Sequence, residues 1–260
     1  MTTCNKNIII YQPWGGLGDN LAFSTLPELY HKNGYEVYIS KDNILRNTEI
    51  YELVWGKNPY IKGIMSNEAG LVVGSTMQDK WPPEYENEYF IHRIEIAHGF
   101  TKTNFYPKIY YNPIYIEELN NNILIDLTGS SQVYEINKYI EYIDYFVPLI
   151  IDKKDKDIKI ITFEKINPNV VFNEIYEYLK TKIQKINYLK ITSLINYCNV
   201  INSCDTIIIV NSGINSLAAA IKSDNKSPNI LCYNPWSHFT PQAIKGFYNY
   251  KNVEYFQSKI

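Results

Sequence analysis

Three short segments bring together residue types that could bind an anionic ligand and move a proton beside it. The first is Trp14-Gly15-Gly16-Leu17-Gly18-Asp19-Asn20, which follows the apolar run Ile8-Ile9-Ile10. Glycines there let the backbone turn sharply and approach a ligand closely. Asp19 stands at the start of the following helix, either as its cap or as a carboxylate presented from the loop. The spacing does not complete the GxGxxG dinucleotide fingerprint. The second is Asn211-Ser212-Gly213-Ile214-Asn215-Ser216, after the apolar run Ile207 to Val210 and before Leu217-Ala218-Ala219-Ala220. A polar turn feeding an alanine-rich helix offers unpaired backbone N–H groups and the positive end of the helix dipole, which suits a diphosphate. An ordinary strand-to-helix turn has the same composition. The third is Thr128-Gly129-Ser130-Ser131, whose hydroxyls and glycine at a strand end can donate to phosphate oxygens.

These turns need strands before them and helices after them. Short apolar runs alternating with helical patterns supply that grammar and predict an α/β protein. Strands are expected at 7–12, 35–40 and 60–65, and helices at 20–32 (with Pro27 inside), 43–55 and 89–100. The stretch 67–88 is expected to be loop. Asn112-Pro113 and Asn120-Asn121-Asn122 mark a linker. A second series then predicts strands at 122–127, 157–163, 206–210 and 229–233, the last of these closing the fold. Helices are expected at 138–149, 170–182, 193–203 and 214–222. The result is two Rossmann-like units, 1–118 and 119–260, with the final residues free to pack back on the first. Ligands of open α/β sheets bind at the carboxyl ends of the strands, where all three turns fall.

Composition narrows the partners. The 260 residues carry 25 basic and 27 acidic side chains, a net charge of −2, so nucleic acid is disfavoured as a partner. With 45% hydrophobic residues a buried core is expected. The 24 tyrosines fit either AT-rich codon drift or flat polar faces for carbohydrate and nucleobase. Cys4, Cys198, Cys204 and Cys232 have no ligand spacing, and with four histidines no metal site is expected. Scattered thiols, no secretory core and no long apolar run predict a cytoplasmic protein without a transmembrane segment; peripheral membrane contact stays open.

Taken in order, the three segments resemble glycosyltransferase family 9, the ADP-heptose:lipopolysaccharide heptosyltransferases. Gly16-Leu17-Gly18-Asp19 with Pro27 resembles the family's Gly-x-Gly-Asp turn and proline-bearing helix, and Asn58-Pro59-Tyr60 its Asn-Pro-Tyr. Gly129-Ser130-Ser131 is similar to its Gly-Ala-Ser turn, and 194–220 to its helix–strand–Asp-Ser-Gly-x-x-His-x-Ala-Ala block. Asn211 stands in place of that Asp and Ser216 in place of that His. The lysine expected after the serine turn has Lys138 as its nearest counterpart, and the first half is short for the family.

The resemblance implies a GT-B fold, two Rossmann-like α/β/α domains facing each other across a cleft. It implies inverting transfer of a hexose or heptose from a nucleotide-diphosphate sugar to a glycan or glycolipid hydroxyl, without metal or other cofactor. Asp19 would be the base. Trp14, Gly15, Gly16, Gly18, Asn20 and His98 would border the acceptor, with Trp14 stacking on a sugar or buried under the helix, and His98 equally able to complement a helix end. Thr128, Gly129, Ser130, Ser131, Asn211, Ser212, Gly213, Asn215 and Ser216 would hold the donor phosphates. Glu164 would meet the ribose or serve as a surface acid, and His238 would touch the donor sugar. A sugar-nucleotide epimerase or hydrolase, or a non-catalytic nucleotide-sugar-binding protein, would use the same scaffold.

Overall fold

The computed structural model describes residues 7–74, 88–128, 136–151, 157–163, 170–183, 185–223, 229–234 and 249–257. The chain divides into two compact units, Met1–Asn112 with Lys245–Lys251, and Pro113–Ile244 with Asn252–Ile260.

The first unit is built on four parallel strands: β1 (Asn7–Tyr11), β2 (Glu36–Ser40), β3 (Ile61–Met65) and β4 (Leu71–Gly74), in the order β3-β2-β1-β4. β4 lies inside a stretch the sequence predicts to be loop. It follows Gly70 and ends on Gly74, and only Val73 and Gly74 are buried, so its four residues carry a weak strand signal. Gly74 has φ +123, and a Cβ there would sit 2.2 Å from the Tyr11 carbonyl oxygen. No side chain fits where β4 closes on β1.

The single helix expected over 20–32 is two, α1 (Leu17–Ala22) and α2 (Leu26–Lys32). Pro27 lacks the N–H that would bond back to Phe23, so the helix ends and restarts with Pro27 in its first turn. The helix expected over 43–55 is only α3 (Thr48–Tyr51), running into a π-turn at Glu52–Gly56. Asn47 caps α3 by accepting the Glu49 N–H at 2.7 Å, while residues 43–46 serve another purpose described below. The helix α4 (Phe90–Ala97) completes the unit.

The second unit has six parallel strands: β5 (Ile123–Asp126), β6 (Ile158–Phe163), β7 (Ile186–Ile191), β8 (Thr206–Val210), β9 (Asn229–Asn234) and β10 (Val253–Gln257). Their order is β10-β9-β8-β5-β6-β7. The central strands β5 and β8 are buried throughout, as parallel strands covered on both faces require. β7 and β10, absent from the expectation, are the two edge strands. β7 is half exposed and alternates poorly, and β10 follows what reads as the last strand.

The helices of this unit are α5 (Ile136–Ile151), α6 (Val170–Lys182), α7 (Leu194–Ser203) and α8 (Gly213–Ile221). Several tyrosines belong to the core rather than to a ligand face. Tyr142 is fully buried, stacks on Tyr233, and donates to the carbonyls of Ile209 and Leu231 at 3.2 and 2.9 Å. Among the described residues no helix is long and apolar enough to cross a membrane.

Candidate functional site

In the first sheet β1 leads to β2 on one side while β4 lies on the other, so the switch point falls at the end of β1. The loop after Tyr11 is held there by polar side chains. Gln12 is fully buried: its backbone N–H donates to Asn43 Oδ1 at 2.7 Å, its Oε1 accepts the Trp14 N–H at 3.0 Å, and its Nε2 donates to the Asp19 carbonyl at 3.2 Å. The Arg46 N–H donates to the Gly15 carbonyl at 3.0 Å. Residues 43–46 therefore clamp the glycine loop instead of forming helix, because their polar groups are committed across the chain.

Asn20 is the hub beneath this loop. It is fully buried, its Nδ2 donates to the Gly16 and Trp14 carbonyls at 2.8 and 3.4 Å, and its Oδ1 accepts the Trp55 indole N–H at 2.8 Å. Gly15 and Gly18 are buried as well. Asp19 is half-buried, and its Oδ2 accepts the Gly16 N–H at 3.2 Å. A Cβ on Gly16 would lie 2.5 Å from that oxygen, so the glycine makes room for the carboxylate. Trp14 is exposed at 44%.

His98 occupies a different part of this unit. It is the C-cap of α4, its Nδ1 lies 2.8 Å from the Tyr30 hydroxyl, and its ring meets Phe23 and Tyr30 edge-on. Burial lowers its pKa from 6.5 to about 4, with the Gly74 backbone opposing. At neutral pH it is uncharged, and it does not complement the helix end as a cation.

In the second sheet the switch point lies between the neighbours β5 and β8, where Asp126 pairs with Ile209. Thr128, just past β5, and the Asn211–Gly213 turn, just past β8, thus emerge from adjacent strands at one edge. Ser212 caps α8: its Oγ accepts the Ile214 N–H at 3.4 Å and its carbonyl the Asn215 N–H at 3.0 Å. The cap uses two of the N–H groups that the sequence offers to a diphosphate.

Asn211, Asn215 and Ser216 are buried. Asn215 Nδ2 donates to Asn211 Oδ1 and to the Tyr255 hydroxyl, both at 3.1 Å, so the amide pair joins the start of α8 to β10. Gly129, Ser130, Ser131, Glu164 and His238 lie outside the described residues.

Sequence reasoning missed Asp126, which is buried at the end of β5. It accepts the Thr128 N–H at 2.9 Å, the Thr128 hydroxyl, and the Tyr197 hydroxyl at 2.5 Å. Burial pushes its carboxyl up, and the hydrogen bonds from Thr128 and Tyr197 pull it down. An acid closing an apolar strand, two residues before a threonine, was its one signal. Gln12, Asn43 and Trp55 left none, because their partners are distant in sequence.

No known family's sequence profile matches the chain, and no curated protein does. Solved structures do. TibC from enterotoxigenic E. coli H10407, an iron-containing dodecameric glycosyltransferase, is 12% identical over 98% of this chain and 64% of its own, with a TM-score of 0.65. The E. coli heptosyltransferase WaaC with ADP is 10% identical over 97% of this chain and 93% of its own, at 0.60. A family 9 glycosyl transferase from Veillonella parvula DSM 2008 is 12% identical over 99% and 87%, at 0.61. The fold is the one these glycosyltransferases share, GT-B-like with two parallel α/β sheets. The chain spans 64% of the length of TibC. Among the described residues no three His, Cys, Asp or Glu side chains converge in a way that could hold a metal ion.

Proposed function

We propose that this protein is a glycosyltransferase that moves a sugar from a nucleotide-diphosphate donor to a hydroxyl of a glycan or glycolipid, with inversion and without a metal. The observation that carries this reading is the pairing of two switch-point turns on adjacent strands, β5 and β8, in a fold that WaaC uses with ADP. The N-terminal end of α8, beginning at Gly213, supplies a dipole for the diphosphate. Gly129, Ser130, Ser131, Glu164 and His238 belong to the donor side of this proposal, and Trp14 to the acceptor side.

Asp19 is the base. The acceptor hydroxyl proton passes to its carboxylate as the acceptor oxygen bonds to the anomeric carbon. The bond from that carbon to the diphosphate oxygen breaks on the opposite face, and the departing nucleoside diphosphate carries the negative charge. The Gly16 N–H, bonded to Oδ2, fixes the carboxylate. Cys198, Cys204 and Cys232 are buried free thiols, which accords with a reducing cytoplasm.

A thermal-shift panel of ADP-, UDP-, GDP- and CMP-sugars tests the donor class, since a bound ligand raises the melting temperature. Asp19→Asn tests the mechanism: donor binding should persist while transfer falls by roughly 10²–10⁴-fold. Full transfer by that variant would refute the base. Donor consumption without acceptor would favour an epimerase or hydrolase.

A further inference from the structure

We propose that Asp126 and Tyr197 are positioning residues that lock Thr128 at the switch point of the second sheet, so that the Thr128 oxygen receives a hydroxyl of the bound nucleotide sugar. The inference rests on the donor-binding reading above and adds to it a specificity contact and the pair that enforces it.

Asp126 is costly where it stands. The rest of its strand, Ile123-Leu124-Ile125, is apolar and fully buried, and an apolar residue would complete the same core. A carboxylate removed from water loses several kcal/mol of hydration unless donors replace it. Three do so, and two of them come from one residue, Thr128. The third comes from Tyr197 on α7, which is fully buried and 71 positions away in the chain. The arrangement therefore ties the turn after β5 to a helix on the sheet face. Such polar expense gathers where a site must be held in one geometry.

The proton count sets what Thr128 can do. A threonine hydroxyl has one proton and two lone pairs. That proton is directed to Asp126, so toward a ligand the oxygen can only accept. A phosphate oxygen brings no proton and would also face the buried carboxylate behind the turn. A ribose or sugar hydroxyl brings the proton this oxygen lacks. Thr128 is half-buried, and its turn shares the sheet edge with the start of α8.

The test uses the full chain and whichever of the ADP-, UDP-, GDP- or CMP-sugars binds it. Tyr197→Phe and Thr128→Val keep side-chain volume; each should raise the donor Kd roughly tenfold, the scale of one lost positioning hydrogen bond. Thr128→Ser should restore wild-type affinity. Melting temperatures identify variants that merely lose stability, and Asp126→Asn provides a second disruption of the pair. A purely structural pair would shift the melting temperature and leave Kd unchanged. Wild-type Kd in folded Tyr197→Phe and Thr128→Val would overturn the inference and leave the donor reading standing. A wild-type chain that binds none of the four sugars would overturn the donor reading, and this inference with it.

Discussion

The Trp55 indole N–H donates to Asn20 Oδ1 at 2.8 Å inside the first unit, and both residues are fully buried. The same asparagine holds the carbonyls of Trp14 and Gly16 through its amide nitrogen. One side chain thus fastens the glycine loop to the end of the π-turn. Asn20→Ala would leave the indole N–H and loop carbonyls without this partner, and an orphaned buried group costs about 1–3 kcal/mol. Chemical denaturation should show a loss of that size. A double-mutant cycle with Trp55→Phe should give a non-zero coupling, since the two residues share one hydrogen bond.

Gly16 and Asp19 yield a separable effect. The Gly16 backbone, at φ −73, suits any residue, so Gly16→Ala imposes no backbone strain. Its new Cβ would nevertheless lie 2.5 Å from Asp19 Oδ2 and drive the carboxylate away from the Gly16 N–H. Stability should change little, while transfer falls about tenfold or more, because misplacing a base by an ångström removes much of its benefit. Donor affinity, measured by calorimetry, should be unaffected. Undiminished transfer by Gly16→Ala would show that the Gly16 contact does not set the carboxylate's position.

Much of this architecture is legible because it is local. The helix over 170–182 and the strand over 206–210 coincide with α6 and β8, since each is a sustained pattern bounded by its own signals. β4, β7 and β10 are not legible. Four residues ending on a glycine, or an edge strand with half its side chains in water, carry little periodicity, and their partners Tyr11, Phe163 and Asn234 supply the pairing. The site divides in the same way. The Gly16–Asp19 turn is readable from its residue types, whereas Gln12, Asn43 and Trp55 acquire their roles only when distant segments meet. Asn215 and Ser216 illustrate the converse: adjacent to a readable turn, both are nonetheless buried.

His98 makes stability depend on pH in a direction set by its burial. Its folded pKa of about 4 lies below the ordinary 6.5, so the unfolded chain binds the extra proton between those values. Stability rises with pH wherever the unfolded state holds more protons. The His98 contribution is therefore fully present above 6.5, declines as the pH falls toward about 4, and levels off below that. Its size is on the order of 2 kcal/mol, because a tenfold change in proton affinity is worth about 1.4 kcal/mol and the site relaxes in part around the charge. In the imidazolium both ring nitrogens carry protons, so the nitrogen that faces the Tyr30 hydroxyl can then only donate. Replacing the imidazole by an amide in His98→Gln removes the titration and keeps a polar group. Unfolding free energies at several pH values should show the wild type losing stability relative to His98→Gln between 6.5 and 4. Parallel curves for the two proteins would mean that the imidazole is hydrated in the folded state.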